Sequence, residues 1–415
     1  MTERSQVSNA ACIRIAGTIA FATVMVAWFI FIGLIVGSQS ATAQAANIAS
    51  GGRRGKLGKV LSSAYGGQIF GFDVNENGND GIIDDAVSLS NGGLKSAIET
   101  FDISTGKITK IVKTLVSKTS NDELVTFGIG GNDVGLVDEE RVTIKNEHVT
   151  RNDLFYLLNP GSGQQITGPW TLPDSKGALL WQLAQNQTTS TQLAVVYRFS
   201  GSNAVPWLYL TDLATNQILK SIPLQVFQDN FLLMFAQDTA TDEAVTAISS
   251  YPGGPPPPNV VINLKADKIR QFNGFNNGPY GAGGINGLAV DSTTGILCTT
   301  TELNAQVEFY KLSDGSGTWA QLPGTGSASQ INSGQSVTND PVNHLFLVTQ
   351  PVSSTGGNSA VYVYDEKGNL KETINGFTFN INLPPSFGLK IVLNPTKRIA
   401  WVQGANANQL QQFFY

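Results

Sequence analysis

Cysteine and histidine are nearly absent from this sequence, with two of each in 415 residues. Cys12 lies in a segment read below as a leader, which leaves Cys298 alone in the rest of the chain. A single cysteine closes no intramolecular disulfide, so stability has to come from apolar burial. The histidines are His148 and His344, and any imidazole metal site or histidine-dependent triad must use one of them. His148 falls in the charged stretch DEERVTIKNEHVTRND (138–153), which reads as a solvated connection; His344 precedes a core strand and reads as a turn or surface residue. Charge is scarce too, at 14% of residues. No G-x-S-x-G elbow, H-E-x-x-H, P-loop or G-x-G-x-x-G occurs, although 44 glycines are available. Those glycines are placed for turns.

One long apolar run is present, IAGTIAFATVMVAWFIFIGLIVG (15–37), preceded by Arg4 and Arg14 and followed by Ala41-Thr42-Ala43 and Ala43-Gln44-Ala45. A basic start, an apolar run and small-x-small exits describe a secretory signal over 1–45. The run is also long enough to span a bilayer as an uncleaved anchor. Either way, residues 46–415 are expected to face an extracytoplasmic space. Without the leader, 24 basic and 30 acidic side chains remain of the 26 and 31 in the whole chain. That mild acidity excludes a basic nucleic-acid footprint and points to no membrane partner unless the leader stays attached.

What is there in abundance is a repeat. An apolar strand, a polar turn and a second strand recur as ETFDISTGKITKIV (99–112), FYLLNPGSGQQITG (155–168), LYLTDLATNQILKSI (208–222), VVINLKADKIRQF (260–272), VEFYKLSDGSGTWAQL (307–322) and VYVYDEKGNLKETI (361–374). Their turns centre near Gly106, Gly163, Asn216, Asp267, Gly315 and Gly368, in steps of 57, 53, 51, 48 and 53 residues. A second hairpin precedes each, most clearly at 287–301, 336–350 and 389–403. Four short strands per unit, with no helical periodicity between them, predict an all-β, seven-bladed β-propeller over 46–415 as one domain. The blades fall at about 67–118, 123–170, 178–223, 231–273, 285–323, 335–378 and 386–415. The last ends on ANQLQQFFY (407–415), a third strand without a fourth, and 58–64 is expected to supply the missing outer strand and so close the ring. The innermost strands are expected to be the most apolar, as in 287–290 (GLAV) and 345–348 (LFLV).

The unit INGLAVDSTTGILCTTTELNAQVEFYKLSDGSG (285–317) resembles the NHL/YVTN class of secreted propeller repeats, in its φ-A-φ-D turn, second strand and N-x-x-φ-x-x-φ third strand. Residues 336–374 match more loosely and 67–170 depart furthest. The resemblance implies architecture and carries no active site.

Two features carry candidate chemistry. Asp73-Val74-Asn75-Glu76-Asn77-Gly78 matches the first half of a calcium loop, D-x-[DN]-x-[DN]-G. The candidate ligands are Asp73, Asn75, Asn77, Asn79 through its carbonyl, and Asp84, which stands where a helix–loop–helix site has glutamate. The other reading of these residues is a polar turn. The second feature is a set of long loops, PGGPPPP (252–258), NGFNNGPYGAGGING (273–287) and SSTGGNSA (353–360), expected on one face of the ring with Tyr251, Phe275, Tyr280 and Asn286 as its recognition residues. The reading that follows is an exported, non-enzymatic binding module for a protein, peptide or glycan, with calcium as its one candidate cofactor. The alternative is a metal-dependent hydrolase: INGLAVD (285–291) resembles gluconolactonase- and regucalcin-like propellers at the single position Asn286.

Overall fold

The computed structural model describes residues 54–118, 122–130, 134–145, 148–171, 179–186, 191–200, 203–212, 217–225, 233–248, 260–272, 285–301, 306–323, 336–350, 359–379 and 390–415. They form 28 strands and no α-helix. None of the described residues forms a helix long and apolar enough to cross a membrane. The apolar run at 15–37 lies outside the described residues.

The strands assemble into seven four-stranded antiparallel sheets. Blade 1 is β2 (Phe72–Val74), β3 (Asp80–Ser88), β4 (Leu94–Asp102) and β5 (Lys107–Ser117); blade 2 is β6 (Asp122–Gly130), β7 (Val134–Lys145), β8 (His148–Asn159) and β9 (Gln164–Trp170). Blade 3 is β10 (Leu179–Asn186), β11 (Thr191–Ser200), β12 (Asn203–Asp212) and β13 (Ile218–Pro223). Blade 4 is β14 (Leu233–Asp238), β15 (Glu243–Ile248), β16 (Val260–Asn263) and β17 (Lys268–Gln271). Blade 5 is β18 (Ile285–Asp291), β19 (Ile296–Thr301), β20 (Gln306–Lys311) and β21 (Gly317–Gln321); blade 6 is β22 (Ser336–Asp340), β23 (Leu345–Gln350), β24 (Ser359–Asp365) and β25 (Leu370–Phe377). In blade 7, β26 (Ile391–Asn394), β27 (Ile399–Gln403) and β28 (Gln409–Phe414) are joined by β1 (Lys56–Ser62), which pairs antiparallel with β28.

The innermost strands touch in sequence, β2 to β6, β10, β14, β18, β22 and β26, and β26 touches β2. The seven sheets therefore form a closed ring. Its apolar core is divided into seven clusters, one at each interface between neighbouring blades. Strand alternation produces this partition, because successive side chains point to opposite faces of a sheet. Along β24, Val361 and Val363 pack towards blade 7, whereas Tyr362 and Tyr364 pack towards blade 5. Leu61 of β1 is fully buried in the blade 7–blade 1 cluster with Phe72, Trp401 and Leu410, so the seam holds by apolar packing as well as by its ladder.

Two expectations are corrected. In blade 6 the most apolar strands are the second and third: β23 and β24 are buried almost throughout, while the innermost β22 is only partly so. Neighbouring sheets cover both faces of a middle strand, but an innermost strand borders the axis. LFLV (345–348) belongs to such a second strand. The stretch 138–153 is not a connection. It lies within the long hairpin of β7 and β8, in which Lys145 pairs with His148, and its alternation VTIK/HVTR is what a two-stranded ribbon requires.

Candidate functional site

Antiparallel order sends the first-to-second and third-to-fourth strand turns to one face of the ring, and the second-to-third and blade-to-blade connections to the other. The turn face is built from a repeated short device. The turns 239–242, 292–295, 341–344 and 395–398 follow Asp238, Asp291, Asp340 and Asn394. Each of those side chains is buried and accepts a backbone N–H from inside its own turn: Ala240 at 2.9 Å, Thr293 at 2.9 Å, Val342 at 3.0 Å and Lys397 at 2.9 Å. The last residue of each turn lies in the left-handed region, at Asp242, Gly295, His344 and Arg398. Asp102, Asn159 and Asn263 open the equivalent outer turns, which close on Gly106, Gly163 and Asp267. The spacing D/N-x-x-x-G/D/H/R is a second repeat inside the first.

These turns also pin neighbouring blades. Thr239 N–H donates to Ser292 Oγ at 3.0 Å between blades 4 and 5, and His344 Nδ1 lies 3.2 Å from Asp291 Oδ2 between blades 5 and 6. Burial alone raises the Asp291 carboxyl, but Thr293, then His344 and Asn339, outweigh it and hold it below the usual carboxylate range. Tyr415 OH donates to Asp340 Oδ2 at 3.0 Å, tying the C-terminus to blade 6. Asn394 Nδ2 donates to the carbonyls of Asn75 and Gly78 between blades 7 and 1.

The candidate calcium loop lies on this face, between β2 and β3. Asn75 Oδ1 accepts the N–H groups of Asn77 at 3.0 Å and Gly78 at 2.9 Å, which makes a side-chain-capped turn. Asn79 Oδ1 receives the Lys397 ammonium, and its carbonyl accepts Ile103 N–H at 2.7 Å. Asp73 Oδ1 accepts Val74 N–H at 2.9 Å. Asp84 stands four residues beyond Asp80, about 13 Å along the strand, and turns away from the loop. It accepts the N–H groups of Phe70 at 2.9 Å, Gly71 at 2.7 Å and Thr126 at 2.8 Å. Asn75, Asn79 and one oxygen of Asp73 are thus bonded to backbone or to a lysine, and Asp84 is aimed at the connector rather than at the loop. A calcium cage needs 6–8 oxygens around one point, and Asp84 would join one only by giving up these three N–H groups.

Asp84 belongs instead to a set of buried carboxylates that lace the connector 63–71 to blade 1. Glu99 accepts Ala64 N–H at 2.9 Å, Asp85 is turned towards Ser63 and the N–H groups of Tyr65 and Gly67, and Asp84 takes the end of the connector. Burial pushes the Asp84 carboxyl up to about 7 against its three N–H donors, with the charge of Asp85 adding to the rise. The sequence signal for this role was the pair Asp84-Asp85 at mid-strand, where a charged dipeptide is out of place unless it is bonded.

The opposite face receives the long connections 171–178, 224–232, 249–259, 272–284, 322–335, 351–358 and 378–390. Tyr251, Phe275 and Tyr280 lie outside the described residues. Asn286 is on β18, the innermost strand of blade 5, where the pairing with β19 shifts register between Ile285 and Gly287. Asn286 thus sits at a register irregularity of an innermost strand.

No protein-family model matches the chain, and no curated protein matches it in sequence. Solved propeller structures match in shape. Raptor of Chaetomium thermophilum superposes with a TM-score of 0.54 at 9% identity over 87% of this chain, which spans 29% of the Raptor chain. U3-55K gives 0.53 at 11% identity, covering 88% of this chain and 100% of its own. Sqt1 of Chaetomium thermophilum, solved bound to the N-terminus of the ribosomal protein L10, gives 0.50 at 10% identity and covers 87% and 99%. At such identities the likeness is one of fold: this chain is a seven-bladed β-propeller.

Proposed function

We propose that this chain is an exported, non-enzymatic binding module that receives a protein or peptide on the face carrying its long connections. The observation that supports this reading is the inequality of the two faces. One is closed by turns of three to five residues, many of them capped by their own side chains and tied blade to blade. The other collects connections of eight or more residues from blades 2 to 7, including PGGPPPP. Recognition residues are found preferentially on loops held by a rigid scaffold, and a proline run presents a stiff, low-entropy edge. A peptide-bound relative of the same fold, Sqt1, favours a polypeptide ligand over a glycan. Export rests on the basic, apolar and A-x-A pattern of residues 1–45.

The test is a comparison of two variants against the partners retained by the wild-type chain from its own extracytoplasmic fraction. Replacing 252–258 with a Gly/Ser linker of equal length is expected to release the partner, while Thr105→Ala on the turn face retains it. Retention by the linker variant together with release by Thr105→Ala would place the interface on the wrong face.

A further inference from the structure

Three side chains from two blades converge at the rim between blades 5 and 6. Asp291 closes β18, His344 closes the turn between β22 and β23, and Glu366 follows β24 in the next turn outward. His344 Nδ1 is 3.2 Å from Asp291 Oδ2 and 3.8 Å from Glu366 Oε1. One ligand atom of each lies within 4.8 Å of the other two. Four-coordinate zinc, with bonds of about 2.0–2.2 Å, sets its ligand atoms roughly 3.4 Å apart, so these edges bracket what one ion requires. The Asp291 side chain is fully buried, Glu366 is 22% exposed and His344 51% exposed, which leaves one side of the triangle to water.

Both carboxylates are also held in place by threonines of the blade 5 turn. Thr293 Oγ1 donates to Asp291 Oδ1 at 2.6 Å and Thr294 Oγ1 donates to Glu366. Such outer partners fix the orientation of ligating carboxylates. His344 itself holds a φ of 53°, the left-handed backbone that Asp242, Gly295 and Arg398 adopt at the end of the matching turns, and this backbone sets where the imidazole starts.

We propose that Asp291, His344 and Glu366 form a divalent transition-metal site of the zinc class, completed by water, that clamps blade 5 to blade 6. One imidazole and two carboxylates supply the borderline nitrogen and the negative charge that suit zinc better than calcium or magnesium, which prefer all-oxygen shells. The site is independent of the binding face and lies on the opposite side of the ring from the long connections.

The test is calorimetric titration of chelator-stripped, tag-free full chain with zinc chloride, paired with thermal melts with and without zinc. The expected result is one zinc per chain and a higher melting midpoint in zinc, since an ion bound only by the folded state stabilises it. His344→Gly is the informative variant, because glycine accepts the local backbone and the fold is not at risk. It is expected to lose the zinc response, melting at the same midpoint with and without zinc. Glu366→Gln is expected to weaken binding by roughly tenfold or more, the loss seen even when an outer partner of a metal ligand is disturbed. His148→Ala is expected to bind as wild type does. Absence of saturable binding in wild type, or unchanged affinity in His344→Gly, would reduce the cluster to a hydrogen-bonded turn contact and overturn the proposal.

Discussion

Asn394 Nδ2 donates to the backbone carbonyl of Asn75 at 2.9 Å and to that of Gly78 at 3.0 Å, across separations of 319 and 316 residues. One carboxamide thus holds the last blade to the first on the turn face, while β1 holds them at the outer edge. Asn394 is fully buried, so its loss removes one donor from both carbonyls, although that of Gly78 keeps the Lys397 ammonium at 2.7 Å. Asn394→Ala is expected to lower unfolding stability by about 1–3 kcal/mol, the cost of a buried group left unpaired. Asn394→Asp sets a carboxylate against the same two oxygens and should cost more. Urea denaturation of both variants measures this, and a wild-type midpoint for either contradicts the reading.

The seam makes a second prediction. Leu61 is fully buried between Trp401 and Leu410, whereas Lys59 on the same strand is exposed. Leu61→Ala is expected to cost about 2–5 kcal/mol, as core leucine truncations do. Lys59→Ala should change little. Deleting 54–62 uncovers the edge of β28 and should promote self-association, visible as a rise in light scattering.

Buried acids give a pH prediction of definite sign. Burial pushes the Glu308 carboxyl from 4.5 up to about 7, and Tyr310 OH, donating at 3.0 Å, opposes this only in part. Between those values the unfolded chain releases the proton and the native state keeps it. The contribution of Glu308 to stability is therefore full below pH 4.5, falls through that window, and is lost above 7, by on the order of 3 kcal/mol. Glu308→Gln has no proton to keep. Its stability relative to wild type should rise with pH across the window and level off above it. A difference between the two proteins that is flat in pH would contradict the assignment.

The acidic loop gives a fourth. With Asn75 committed to its own turn and Asn79 to Lys397, added calcium is expected to leave the melting midpoint unchanged, and Asp73→Ala to leave that indifference unchanged. A calcium-dependent rise that Asp73→Ala abolishes would show that the loop rearranges around the ion.

Much of the architecture was legible in the sequence because a propeller writes one pattern many times. Turn residues at near-constant spacing located the hairpins, and a last blade one strand short of four required a donor, which β1 supplies. The burial order within a blade was misjudged, because the pattern shows which strands are apolar but not which face is covered. Residues 138–153 were misjudged because charge was read as solvent exposure, whereas Asp138 and Asp153 are buried in the β7–β8 hairpin. The site was less legible. D-x-[DN]-x-[DN]-G is shared by cation loops and capped turns, since both need oxygens at alternate positions. What separates them is whether those oxygens are already bonded, and that depends on Lys397, Asn394 and Thr126, none of which is near the loop in sequence. The contact of His344 with Asp291 was hidden likewise by 53 residues of separation, although the spacing of four from Asp340 to His344, repeated at Asp291 and Gly295, was in plain view.

The central claim, that a partner polypeptide is received on the face of long connections, is tested most directly by site-specific photocrosslinking in the native compartment. A photoreactive residue is placed in turn at Pro256, Asn277 and Thr355 on that face and at Thr105 and Asp314 on the turn face. The account predicts crosslinks to a common polypeptide from at least two of the first three positions and none from the last two. Crosslinks from Thr105 or Asp314 alone would contradict it and move the interface to the pinned side of the ring.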